Sequence, residues 1–60
     1  MNTQDRQRIQ EIIADVKEGH VRVIDLEEFG PVMFRNIYNE AMLAHINLTI
    51  LKPGKSFQVG

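Results

Sequence analysis

Gly30-Pro31 interrupts a stretch that is otherwise helix-forming, and it constrains the fold more than any other feature of the chain. Proline lacks an amide hydrogen and clashes with the preceding turn inside a helix, yet it fits the first turn. A helix opened by Asp25-Leu26-Glu27-Glu28 must therefore be short. In that opening Asp25 can accept from helix amides while Glu28 reaches back, as in a capping box. Pro31 begins a new helix, expected over about residues 31–46. Its apolar face carries Phe34, Ile37, Tyr38, Ala41, His45 and Leu48. Val32, Met33, Leu43 and Ile46 widen that face, and Met42 and Ala44 add to it. Arg35, Asn36, Asn39 and Glu40 form the solvent side. So broad an apolar face needs a first helix, a small sheet and a second subunit to cover it.

Upstream, residues 4–18 read as the first helix. Thr3 is its expected N-cap, Asp5 lies in its first turn, and Ile9, Ile12, Ile13 and Val16 form a stripe at helical spacing. Gly19 is the natural stop. The β-branched run Val21, Val23 and Ile24 predicts a short strand over about 21–25. Residues 48–59 predict a hairpin around Lys52-Pro53-Gly54-Lys55, with proline and glycine at the central positions of a type II turn. Phe57 and Val59 then share one face of its second strand. The fold class is α+β, a compact helix–strand–helix–helix–β-hairpin in a single small domain over residues 1–60.

Size limits what such a domain can do. A chain of 60 residues buries only about 60% of its unfolded surface. Cysteine is absent, which removes disulfides and thiolate metal sites. A partner subunit is the remaining usual support, so a homo-oligomer is expected. The seven Lys and Arg against eight Asp and Glu leave a net charge of −1, so charge placement matters more than its sum. No apolar run is long enough to span a membrane, and the opening residues lack a secretory pattern. The expected location is cytoplasmic.

Gly54-Lys55-Ser56 has the end of a phosphate-binding loop. That loop needs a glycine five positions before Gly54, where Thr49 stands, and a helix after it, where Phe57, Gln58 and Val59 read as strand. The segment is a turn. His20 and His45 lack partners at metal-ligand spacing, and no cofactor or metal is expected. Asp25, Glu27 and Glu28 are helix-capping groups rather than an acid–base pair, because so small a domain encloses no pocket for them. Ser56 has no nucleophile-elbow surroundings. No catalytic residue, and no enzyme activity, is expected.

The order of elements, helix, strand, short helix, longer helix and hairpin with a basic turn, resembles a winged helix-turn-helix module, a DNA-binding class. The resemblance covers most of the chain and rests on arrangement, not on a motif. It implies that the helix from Pro31 enters the major groove, with Arg35 addressing guanine and Asn36 or Asn39 adenine. Lys52 and Lys55 would contact phosphates from the wing, and Arg6 or Arg8 would add backbone contacts. Because one copy carries few basic residues, the implied regulator of transcription is a homodimer on two half-sites of double-stranded DNA. The competing class is a protein-binding inhibitor, adaptor or assembly subunit. Its interface would be Val32, Met33, Phe34, Tyr38 and Met42, since methionine and aromatic side chains suit interfaces.

Overall fold

The structure, a computed structural model, describes residues 2–60. It is an α+β domain of two layers: helix α1 (Thr3–Lys17), strand β1 (Arg22–Asp25), helix α2 (Leu26–Leu43), strand β2 (Leu48–Lys52) and strand β3 (Ser56–Val59). The sheet is antiparallel in the order β1-β3-β2, so the last strand lies in the centre.

Helix α1 starts one residue before the expected position. Asn2, not Thr3, is the N-cap: its backbone is extended and its Oδ1 accepts from the Asp5 amide at 2.8 Å. At the other end the Gly19 amide donates to the Val16 carbonyl and the His20 amide to the Asp15 carbonyl. These are the two bonds of a Schellman closure, with Gly19 left-handed at φ +105°. Ile9, Ile12 and Val16 then face the core, and Ile13 packs partly buried beside them.

Helix α2 is broken at Gly30, whose φ of 82° and ψ of 163° are not helical. That backbone region is open essentially to glycine alone. The short piece before it is capped by Asp25, whose Oδ1 accepts from the Glu27 amide at 3.0 Å. Glu28 does not complete a capping box and instead sits 3.8 Å from Arg8. Pro31 follows the break, where its missing donor is harmless.

The long helix ends at Leu43, three residues before the expected limit of Ile46. Polarity and helix propensity do not reveal this stop, because no glycine marks it. His45 takes the left-handed cap position at φ 56°. The His45 amide donates to the Met42 carbonyl and the Ile46 amide to the Ala41 carbonyl, a second Schellman closure. His45 is consequently exposed rather than part of the apolar face.

Ile24, Phe57 and Val59 from the sheet meet Ile9, Ile12 and Val16 of α1 and Phe29, Met33, Ile37 and Ala41 of α2. Phe57 sits at the centre. The Phe34 and Tyr38 rings approach it edge-on at 5.0 and 5.4 Å between centroids, each pair contributing about 0.5–1.5 kcal/mol beyond burial. Alternation sends Val23 and Thr49 to the opposite, exposed face of the sheet. The hairpin turn closes through the Lys55 amide and Lys52 carbonyl at 2.9 Å, with Gly54 at φ 72°, as a type II turn requires. Ile50 pairs with Phe57 and Lys52 with Ser56, so Leu51 is an extra residue that bulges β2.

Candidate functional site

Helical spacing brings Val32, Arg35 and Asn39 to the side of α2 away from its buried residues Met33, Ile37 and Ala41, with Asn36 at the edge between the two. Arg35 and Asn39 are exposed, and Asn36 is half-buried. Beside them runs a groove of about 490 Å³ between α2 and the hairpin. Phe34, Tyr38 and Phe57 form its aromatic lining, Arg35 and Asn39 approach it from the helix, and Ile50, Gly54 and Ser56 from the hairpin. Arg35 belongs to none of the ion pairs among the described residues. It is exposed beside an apolar floor, and a guanidinium in such a place suits bidentate acceptors.

The hairpin turn separates this groove from a second cleft. Lys52 and Lys55 line that cleft with Asp25, Leu26, Glu27 and Ser56. The turn is fastened to the start of α2, where the Leu26 amide donates to the Lys55 carbonyl at 2.8 Å. The two lysines do not line the Arg35 groove, and the carboxylates of Asp25 and Glu27 beside them offset part of their charge.

The remaining basic candidates lie elsewhere. Arg6 lines a crevice with Ile9, Gln10 and Glu40, between α1 and α2. Arg8 lies with its guanidinium carbon 4.5 Å from the Phe29 ring centroid and its nitrogen 3.8 Å from Glu28, a cation–π contact that fastens α1 to the short piece of α2. The candidate protein interface is divided. Met33 is in the core, Phe34 and Tyr38 pack half-buried against it, and Val32 and Met42 are exposed.

One polar cluster joins residues that no motif in the sequence links. Asp15 receives Arg22 at 3.2 Å on Oδ2, and His20 Nδ1 lies 2.7 Å from Oδ1. The Arg22 hydrogen bond holds the Asp15 carboxyl below the ordinary carboxylate value; His20 adds to this, and partial desolvation opposes it. The signal was present in outline, because a Schellman closure brings the third residue from the helix end against the third residue beyond it. Glu18 joins Asp15 and His20 with donor atoms within 4.8 Å of one another. Arg22 already supplies the positive charge, and the group reads as a link between α1 and β1.

No family model, curated protein or solved structure matches the chain. Among the described residues no helix is long and apolar enough to cross a membrane.

Proposed function

We propose that this chain is a small DNA-binding regulatory protein of winged helix-turn-helix type, acting as a homodimer. The observation that carries the reading is the groove in which Arg35, exposed and in no ion pair among the described residues, and exposed Asn39 stand beside the hairpin. The short helical piece before Gly30, the longer helix from Pro31 and the hairpin with its basic turn support this reading.

In this reading the outward side of α2 lies in the major groove. Arg35 donates in bidentate fashion to guanine, and Asn36 or Asn39 pairs with adenine. Lys52 and Lys55 meet phosphates, and Arg6 is a third basic group available to the backbone. A single copy is at most 26 Å long, so half-sites spaced about 34 Å apart require two copies.

The test is anisotropy of a labelled mixed-sequence duplex at about 50 and about 200 mM salt. Three phosphate contacts predict a logarithmic salt slope near −2.7, or roughly 40-fold weaker binding per copy over that range. Arg35→Ala should weaken binding and flatten sequence preference, and the Lys52→Ala, Lys55→Ala double variant should weaken all duplexes alike and reduce the slope by about 2. Absence of saturable binding at high micromolar protein and low salt refutes the proposal.

A protein-binding role rests on a different observation. Met42 and Leu43, 56% and 74% exposed, end α2 with adjacent apolar side chains. They are the place to look for a dimer seam or a protein partner. Sedimentation of Met42→Ser, Leu43→Ser beside the parent protein tests it, and an unchanged mass at all concentrations removes the seam.

A further inference from the structure

Val32 is 65% exposed. It lies in the first turn after the break at Gly30 and Pro31. Arg35, Asn36 and Asn39 follow it at three, four and seven positions, so the four form one strip along the helix. Three members of the strip are hydrogen-bonding side chains, and Val32 can neither donate nor accept.

We infer that Val32 is a specificity-determining residue that recognises the C5-methyl group of thymine next to the base pair addressed by Arg35. This inference rests on the DNA-binding reading and adds to it a base identity. Residues near the start of a major-groove helix are those that meet base edges. The apolar group exposed on that edge is the thymine methyl, and apolar side chains are its usual contacts. The valine methyls and the thymine methyl exclude water from each other, while Arg35 and the asparagines satisfy neighbouring acceptors and donors. Recognition by Val32 therefore carries no charge and leaves the salt slope unaltered.

The experiment begins with selection of the preferred duplex from a random pool. Each thymine of the selected site is then replaced by uracil, which lacks only the methyl group. Wild type is expected to lose about fourfold in affinity at one thymine, the loss corresponding to one methyl-sized apolar group at about 0.8 kcal/mol. Val32→Ala, which loses both γ-methyls, should discriminate between the thymine and uracil duplexes less than wild type, and Val32→Thr, which keeps one of them, should fall between the two. Equal binding of wild type to every uracil duplex overturns the inference while leaving DNA binding intact, and it returns Val32 to the apolar surface open to a protein partner. If no duplex is bound at low salt, the inference falls together with the reading beneath it. Since Val32 is exposed, circular dichroism and melting of both variants should match wild type.

Discussion

Replacing His45 by glycine should make the protein more stable. His45 holds φ at 56°, where the side chain of an L-residue crowds the following carbonyl at about 1–2 kcal/mol. Glycine escapes that strain but loses more chain entropy on folding, about 0.5–1 kcal/mol. From the middle of each range, the difference is a net gain of about 0.8 kcal/mol. For a domain of this size that raises the melting temperature by roughly 2–8 °C and, with m near 1 kcal/mol/M, moves the urea midpoint by about 0.5–1 M. Urea denaturation followed by circular dichroism reads both the midpoint and the slope. His45→Ala is the control, since it removes the imidazole and keeps the strained backbone; it should stay within about 0.5 kcal/mol of wild type. A glycine variant no more stable than wild type refutes the reasoning. An alanine variant that gains as much as glycine would transfer the effect from the backbone to the side chain.

Gly30→Ala should have the opposite sign. An added Cβ there meets no atom within 4 Å, so the loss of about 1–3 kcal/mol is torsional, and a midpoint unchanged in urea would contradict it. The acid limb of stability should depend on Asp15. Its folded carboxyl is held below the ordinary value of 3.8, so the stabilisation is complete above that value and is lost as pH falls through the lower folded one. The stability gap between wild type and Asp15→Asn should therefore narrow below about pH 3.8, and parallel curves down to complete unfolding would exclude the linkage. Glu27→Gln should tighten DNA binding about twofold, since one like charge about 8 Å from a phosphate in water opposes binding by about 0.5 kcal/mol. Anisotropy at low salt checks this, and unchanged affinity would place the cleft of Lys52 and Lys55 away from the backbone.

Legibility from sequence followed the locality of the signal. The break at Gly30-Pro31, the apolar stripe of α1 and the type II turn depend on neighbouring residues, and their chemistry is specific. The end of α2 was less legible, because a histidine occupies a cap position where glycine is the usual mark. The bulge at Leu51 also escaped, since it arises from pairing with β3 rather than from its own composition. At the candidate site, the solvent side of α2 followed from periodicity. Which groups share a groove did not. The separation of Lys52 and Lys55 from Arg35 depends on how the hairpin is fastened to Leu26, a contact between residues distant in sequence.

The central position of β3 has a consequence for synthesis. Neither β1 nor β2 pairs with the other, and each depends on Ser56–Val59 for its ladder. During translation, β1 leaves the ribosome long before it has a partner, and the sheet forms only when β3 emerges. The Leu26 amide likewise waits for the Lys55 carbonyl. The two helices can meet each other before then, but the faces they turn toward Phe57 and Val59 stay uncovered until β3 emerges. Folding should thus occur in one late step, and arrested chains that lack β3 should be sensitive to protease along their whole length.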